Sequence, residues 1–171
     1  MNPKDWIGKS ETSNDVVTAT PFAALSATLD RSGNRPPAGT PLPAPWHWLY
    51  FLPLYRLSDV GPDGHARRGG FLPPIPLPRR MWAGSQLQFM KPLRIGDALA
   101  RTSTIENVTE KSGRSGPLVF VKVRHEIRRQ DEAEVALTEF HDIVYREAPK
   151  PDDVAPPPKM APAGAPWERE W

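Results

Sequence analysis

The stretch PLVFVKVRHEIRR, residues 117–129, decides the fold of this 171-residue chain. Apolar side chains recur in it at intervals of two or four positions. They are Val119, Val121, Val123 and Ile127. Side chains two positions apart share one face of a β-strand, so the pattern predicts a strand that is buried on one face. The glycine-rich segment KSGRSG before it, residues 111–116, predicts a hairpin loop.

Three more strands are predicted around this one, at residues 81–89, 98–110 and 134–146. In the first, MWAGSQLQF, apolar and polar positions alternate as in a half-buried strand. The turn PLRIGD, residues 92–97, leads into the second, and Gln130 to Glu132 lead into the last. Four consecutive strands with short connections predict an antiparallel meander.

One helix is predicted before the strands, in the segment TATPFAALSATL at residues 18–29. Thr20 suits the N-cap and Pro21 the first helical position. Phe22, Leu25 and Leu29 then fall on one helical face, and residues 30–33 end the helix. A helix that covers the apolar face of an antiparallel sheet gives an α+β domain, which we place at residues 1–148.

The region between helix and strands is rich in aromatic residues. In PLPAPWHWLYFLPLY, residues 41–55, the alternation of Trp46, Trp48 and Tyr50 predicts a short edge strand between prolines. The later segment GGFLPPIPLPRRMWAG, residues 69–84, predicts a stiff extended loop because proline-rich backbone loses little freedom on ordering. We expect it to lie at the mouth of a ligand site; the alternative is that it crosses a dimer interface without touching a ligand.

Basic residues cluster around that segment. A multiply charged phosphate ligand such as coenzyme A would suit them, and the alternative is a solvated basic face. The binding candidates are Arg67, Arg68, Arg79, Arg80 and Trp82.

Composition excludes several classes of protein. The net charge of +2 is too small to favour a nucleic-acid partner, and the absence of cysteine excludes disulfides and thiolate metal sites. No apolar run is long enough to span a bilayer, and the N-terminus MNPKDWIGKSE has no apolar core of a signal peptide. We expect a cytoplasmic protein. The proline- and alanine-rich residues 149–171 predict a linker or tail.

Catalytic candidates are few. Asp63 and His65 lie in a loop and form the only acid–base pair that we single out, although Pro62-Asp63-Gly64 is also a favourable β-turn. No phosphate-binding glycine loop, nucleophile elbow or metal-ligand spacing is present, so no metal is expected.

The other histidines lie in predicted structure. His125 and His141 fall in strands, where we expect packing or solvation, and Asp142 points to the face opposite His141. His47, between two tryptophans, is expected to be packed. The sequence of this chain alone therefore shows no recognisable set of catalytic residues.

Several segments together resemble a known family. They are WIGKSET (6–12), PWHWLYFLPL (45–54), GPDGHARRGGFLPPIPLPRRMWAGSQLQF (61–89), PLRIGD (92–97), TEKSGRSGPLVFVKVRHEI (109–127) and HDIVYRE (141–147). The chain resembles the N-terminal half of the mesaconyl-C4-CoA (3-methylfumaryl-CoA) hydratase group, within the MaoC-like, type 2 hydroxyacyl-thioester dehydratases. The resemblance implies a hot-dog fold, an antiparallel sheet wrapped around a helix.

The resemblance also implies a function. In that family a second hot-dog half carries the acid–base pair, with an Asn/Asp-x-x-x-x-His signature that is absent here: Asp59 and His65 are one residue too far apart. The chain would then form the acyl-CoA pocket of an enoyl-CoA hydratase, with a coenzyme A thioester as substrate and no cofactor. It would act as a heterodimer with a catalytic hot-dog subunit.

Three alternatives stay open from the sequence. The chain is a truncated remnant, or it is a non-catalytic acyl-CoA-binding or scaffold protein, expected as a hot-dog homodimer. A thioesterase is the third, although its usual helix carboxylate is poorly represented by Asp30 at the helix end.

Overall fold

The structure, a computed structural model, describes residues 2–31, 35–113 and 116–148. It contains one α-helix, α1 (Ala19–Thr28), and short 3₁₀ helices at Pro3–Trp6, Trp46–Leu49 and Leu57–Asp59. The strands are β1 (Ser10–Val16), β2 (Arg79–Phe89), β3 (Ala98–Gly113), β4 (Gly116–Arg129) and β5 (Leu137–Arg146). All four strands of the predicted series are confirmed, with bounds that differ by a few residues. The predicted linker at 149–171 lies outside the described residues.

The five strands form one antiparallel sheet in the order β1-β3-β4-β5-β2. The predicted four-strand meander is wrong in one respect, because only β3, β4 and β5 follow one another and β2 pairs with β5. After β2 the chain crosses the end of the sheet: the N–H groups of Met90 and Lys91 both donate to the carbonyl of Ala136. The crossing buries Leu93 and Ile95, so the apolar positions of the predicted turn belong to the core.

Helix α1 begins slightly earlier than predicted, with Thr18 rather than Thr20 at the N-cap. None of its residues is buried. Phe22 packs against the core and meets Trp46 edge-on, with ring centroids 4.7 Å apart, whereas Leu29 is 51% exposed. The helix therefore covers one end of the apolar sheet face and needs other segments to complete the cover.

The aromatic segment supplies part of that cover, and the strand predicted through Trp46, Trp48 and Tyr50 is wrong. Residues Trp46–Leu49 form a 3₁₀ helix in which Trp48 N–H donates to the carbonyl of Pro45 at 3.1 Å. This turn follows Pro45, and it buries Trp46 while Trp48 remains half-exposed.

The sheet face that carries the core holds two separate apolar clusters. The first core cluster comprises Val17, Tyr50, Phe51, Leu93, Ile95, Leu99, Ile127, Ala136 and Leu137. The second core cluster comprises Ile75, Leu77, Ile105, Val108, Val119, Val121, Val123 and Tyr145. Between Val123 and Ile127 of β4 lies His125, so polar side chains separate the two clusters.

The proline-rich segment is a structural part of the second core cluster. Ile75 is 1% exposed and Leu77 is also buried. Arg68 donates hydrogen bonds to the carbonyls of Ile75 and Leu77 and, at 2.7 Å, to that of Pro78. A proline-rich segment has few backbone N–H groups and cannot form a regular strand, so its carbonyl groups need other hydrogen-bond donors. The guanidinium of Arg68 donates to three of these carbonyls. No helix among the described residues is long and apolar enough to cross a membrane.

Candidate ligand-binding site

A cavity of about 360 Å³ opens on the sheet face between the two core clusters. Its floor is formed by strand side chains, namely Ser85, Arg101, His125, Glu139 and His141. Its roof is formed by the aromatic segment at residues 47–53. Ligand cavities in proteins commonly begin at about 300 Å³, so this one suits a small molecule or the end of a larger one.

Glu139 is the most heavily hydrogen-bonded group of the cavity floor. Its carboxylate accepts from Trp48 Nε1 at 3.0 Å and from Ser85 Oγ at 2.7 Å, and Nε2 of His47 lies 3.4 Å from Oε2. Glu139 is only 5% exposed, and that burial acts to raise its pKa. The three donors outweigh burial and lower the pKa of Glu139 to about 2, so the carboxylate is ionised at neutral pH.

Two histidines stand beside it in neutral form. Burial, reinforced by the nearby positive charge of Arg101, lowers the pKa of His125 to about 4. Nδ1 of His125 is 2.8 Å from Oγ of Ser103. Burial likewise lowers the pKa of His141, whose ring centroid lies 5.9 Å from that of His125. Each neutral ring offers one donor and one acceptor without adding charge.

Arg101 is the cation of the cavity floor. Its guanidinium carbon lies 4.8 Å from the centroid of the Phe51 ring, within cation–π range. It forms no hydrogen bond or ion pair with any residue that the structure describes, and its Nε is buried without a partner. Burial lowers the pKa of Arg101, although the carboxylates of Glu11, Glu139 and Asp15 act in the opposite direction.

Trp82 is the predicted site residue that lines this cavity. It is 62% exposed, and its ring meets that of Trp48 edge-on with centroids 6.4 Å apart. Its Nε1 donates to Ser85 Oγ at 3.2 Å. Because both tryptophans line the cavity and are about half-exposed, they form its boundary with solvent.

Most of the other predicted residues gather at a different place, around the loop of Asp63. Oδ2 of Asp63 lies 3.4 Å from Nη2 of Arg80 and 3.6 Å from Nη2 of Arg68. Burial acts to raise the pKa of Asp63, but a backbone hydrogen bond from His65 and the two guanidinium groups outweigh it and lower the pKa. Arg67 lines a separate pocket with this loop, whereas Arg79 begins β2.

Asp63 and His65 are adjacent, as predicted, but their contacts are those of a turn. Gly64 N–H donates to the carbonyl of Gly61 at 3.0 Å, which confirms the β-turn through Pro62 and Asp63. His65 Nδ1 is 2.9 Å from the carbonyl of Asp63 and 4.0 Å from its carboxylate, and the imidazole is largely exposed. A proton-transfer role for this pair stays a prediction.

The polar floor was missed by sequence reasoning, although its signal was present. The alternation that places Val123 and Ile127 in the core also places His125 there, and the same rule sets Glu139 and His141 on one face of β5. The strand register pairs His125 directly with Glu139, which no periodicity reveals. Within the described parts of the chain, no three His, Asp or Glu side chains are close enough to hold a metal ion.

Comparison with known proteins now identifies the family. Residues 45–170 match the family described as hydroxyacyl-thioester dehydratase type 2. The chain belongs to this family. The mesaconyl-C(4)-CoA hydratase of Chloroflexus aurantiacus, strain J-10-fl, is 45% identical over 157 residues, which are 92% of this chain and 55% of that protein. The resemblance inferred from the sequence is confirmed, and the dehydratase-family chain spans about half the length of this relative.

Two solved structures are similar to this chain to different degrees. The C-terminally truncated HadBC (3R-hydroxyacyl-ACP dehydratase) complex of Mycobacterium tuberculosis is 13% identical, with a TM-score of 0.54 over 84% of this chain and 99% of that one. The MaoC-like dehydratase of Rhodospirillum rubrum is 17% identical, with a TM-score of 0.46 over 84% and 94%. The predicted hot-dog fold is confirmed. The chain has a five-stranded antiparallel sheet with one helix, and it is similar in structure to the HadBC complex.

Proposed function

We propose that this chain is the acyl-binding component of an enoyl-CoA hydratase, equally a 3-hydroxyacyl-thioester dehydratase, and that the cavity under Trp48 receives the acyl group. The observation that carries this assignment is the 45% identity to a mesaconyl-C(4)-CoA hydratase over 92% of the chain. The cavity supports it, because an apolar rim with a few convergent polar groups is typical of small-ligand sites.

The electrostatics of the cavity favour binding over proton transfer. Hydration of an α,β-unsaturated thioester needs one group that removes a proton from water and one that protonates the α-carbon. Such groups work best with a pKa near the operating pH. The pKa of Glu139 is about 2 and that of His125 is about 4, so neither is matched to that task at neutral pH.

A second hot-dog unit is therefore proposed to supply the acid–base pair, as the family resemblance implies. The HadBC dehydratase, which shares the fold, is itself a complex, and this supports a two-unit arrangement here. The exposed leucines of this region, Leu52 in the cavity wall and Leu54 and Leu57 after it in the chain, could be covered in such an assembly.

Coenzyme A is proposed to follow the basic residues near β2. Arg68 and Arg80 already contact protein groups, whereas the side chains of Arg67 and Arg79 make no hydrogen bond or ion pair with described residues. Those two arginines, with Trp82, are the better placed of the predicted set to meet phosphate or the adenine ring. The cytoplasmic location stays a prediction.

Two linked experiments test the assignment. Titration calorimetry of the purified chain with mesaconyl-C4-CoA and crotonyl-CoA should give binding heat without loss of the enoyl-thioester absorbance. A chimaera, in which this chain replaces the aligned region of the Chloroflexus enzyme, should hydrate mesaconyl-C4-CoA. An inactive but folded chimaera, together with no binding heat, would exclude the proposed function.

A non-catalytic acyl-CoA-binding protein is the second candidate, favoured by the low pKa values of the cavity groups. It predicts binding heat in the calorimeter and an inactive chimaera. A scaffold predicts neither binding nor activity.

A further inference from the structure

We infer that Asp15 is a positioning residue for the ligand and that it acts through Phe51, which lines the cavity. The carboxylate of Asp15 holds the backbone of Phe51 in a left-handed conformation, and this conformation places the phenyl ring in the cavity wall. The inference rests on the proposed function, because it concerns binding in the same cavity. Three observations carry it: a pair of hydrogen bonds, an unusual backbone angle and the burial of two adjacent aromatic rings.

Both oxygens of the Asp15 carboxylate accept hydrogen bonds from backbone N–H groups. Oδ2 accepts from Phe51 at 2.6 Å, and Oδ1 accepts from Val16 at 2.7 Å. The first bond joins residues 36 positions apart and links the edge strand β1 to the aromatic segment. Because both oxygens are bonded, the carboxylate has a fixed orientation, and bonds of this type are among the stronger ones in proteins.

The backbone of Phe51 lies in the left-handed region, with a φ of +56°. A bulky side chain rarely adopts this region, because its Cβ crowds the following carbonyl, so such a residue needs support from surrounding contacts. The 3₁₀ helix before it ends at Leu49. The Phe51 N–H donates to Asp15 instead of to a carbonyl of that helix, and this bond supplies the support.

The turn at Phe51 allows two adjacent rings to face the interior. In extended backbone, neighbouring side chains point to opposite sides, yet Tyr50 and Phe51 are both buried. The Tyr50 hydroxyl donates to the carbonyl of Thr18 at 2.6 Å, which fixes the first ring. Leu52, the next residue, is exposed. The chain therefore leaves the core directly after Phe51.

The Phe51 ring supports the cation of the cavity floor. The guanidinium carbon of Arg101 lies 4.8 Å from its centroid, and both side chains line the cavity. Glu139 attaches the first part of the aromatic segment to the sheet through Trp48, and Asp15 attaches the second part to β1. Loss of the Asp15 bond would release Phe51 and change both the cavity wall and the support of Arg101.

The first test measures the affinity of purified variants for crotonyl-CoA by calorimetry. Asp15→Ala should weaken binding about tenfold, as expected for one lost hydrogen bond of this kind. Asp15→Asn should stay within about threefold of wild type, because its amide oxygen still accepts the Phe51 N–H. A tenfold loss in the asparagine variant would overturn the role of the bond.

Glu11→Ala is the matched control. Glu11 is exposed, lies on the same face of β1 as Asp15, and its charge raises the pKa of Arg101 as that of Asp15 does. It should leave the affinity within about twofold of wild type. A loss as large as that of Asp15→Ala would show that the charge near Arg101 matters and not the bond to Phe51, which would overturn the inference.

A double-mutant cycle tests whether Asp15 acts through Phe51. Glycine adopts positive φ without strain but has no ring, so Phe51→Gly should itself weaken binding about tenfold. Asp15→Ala should cause no further loss in the Phe51→Gly background, because the ring that it positions is absent. Equal losses in both backgrounds, as expected for a purely structural effect, would overturn the positioning role.

Amide hydrogen exchange tests the bond without a ligand. In wild type, the Phe51 N–H should exchange far more slowly than that of Leu54, an exposed residue of the same region. Equally fast exchange of the two amides would overturn the inference even if Asp15→Ala does not fold. Absence of crotonyl-CoA binding by wild type would overturn the proposed function and with it the role in binding, whereas slow exchange would still support the bond between Asp15 and Phe51.

Discussion

The indole Nε1 of Trp48 donates to Oε2 of Glu139 at 3.0 Å, across 91 residues of sequence. This bond joins the roof of the cavity to its floor. His47, next to Trp48, points to the same carboxylate, so one buried acid holds the aromatic segment over the sheet. The charge of Glu139 therefore has a structural role, because it holds the two sides of the cavity together.

Replacement of Glu139 by glutamine should weaken the attachment of the aromatic segment (residues 47–53) to the sheet. The variant keeps the shape but removes the charge that the three donors stabilise, and we expect it to lose about 2 kcal/mol of unfolding free energy in urea titrations. Glu110→Gln is the control, because Glu110 is exposed and should change stability by less than about 0.5 kcal/mol. Equal stability of the two variants would contradict the role of Glu139.

Arg68 should be important for stability, because its guanidinium satisfies the carbonyls of Ile75, Leu77 and Pro78. Arg68→Ala is expected to cost about 1.5–3 kcal/mol, the range for hydrogen bonds with a charged donor. Arg67→Ala, at the exposed neighbouring position, should cost less than about 0.5 kcal/mol. Urea unfolding of both variants measures the difference; a similar small loss in both would show that the carbonyls are satisfied without Arg68.

Stability should fall in mild acid because of His125. Its folded pKa is about 4 and its ordinary value is 6.5, so the unfolded chain binds more protons between these values. Unfolding free energy contributed by this group is intact above pH 6.5 and declines as pH falls toward 4, by about 3 kcal/mol at most. Glu139, with a folded pKa of about 2, adds a further loss below about pH 4.5.

His125→Gln isolates the histidine contribution to this acid sensitivity. Between pH 7 and pH 5 its unfolding free energy should change less than that of wild type. His65→Gln is the matched control, since that imidazole is largely exposed, and it should retain the wild-type pH dependence. If the unfolding free energy of the His125→Gln variant depended on pH as steeply as that of wild type, the pKa of His125 would not be depressed in the folded chain.

Trp82 should contribute to ligand binding without contributing much to stability. It is 62% exposed, and Trp82→Ala is expected to weaken acyl-CoA binding about tenfold through lost apolar and stacking contact. Met81→Ala, at the preceding residue and on the other face of β2, should leave affinity unchanged. Calorimetry with crotonyl-CoA measures both, and an unaffected Trp82 variant would place the ligand elsewhere.

The sequence was sufficient for β2 to β5, because local periodicity determines which side chains of a strand share a face, but not for β1 or for the aromatic segment. Val121 and His125 follow the same rule. Sheet order was not predictable in this way: the pairing of β2 with β5 depends on the crossing that buries Leu93 and Ile95, and this is a non-local packing choice.

The site was less predictable than the fold. Its polar floor comes from four strands and its roof from a 3₁₀ turn, so the proximity of Glu139 to His47 depends on tertiary packing between residues 92 positions apart. Arginine clustering in the sequence indicated a charged site, yet Arg68 and Arg80 contact protein groups. Arg101 ends the same basic span of the sequence, but only the strand register places its side chain in the cavity.

The most direct measurement of the central claim is the initial rate at which the purified, partner-free chain hydrates mesaconyl-C4-CoA at neutral pH, followed by enoyl-thioester absorbance at saturating ligand. The account predicts a rate equal to the uncatalysed background, alongside measurable binding of the same thioester. A rate well above background, abolished by His125→Gln or Glu139→Gln and retained in His65→Gln, would contradict it and make the cavity itself the catalytic site.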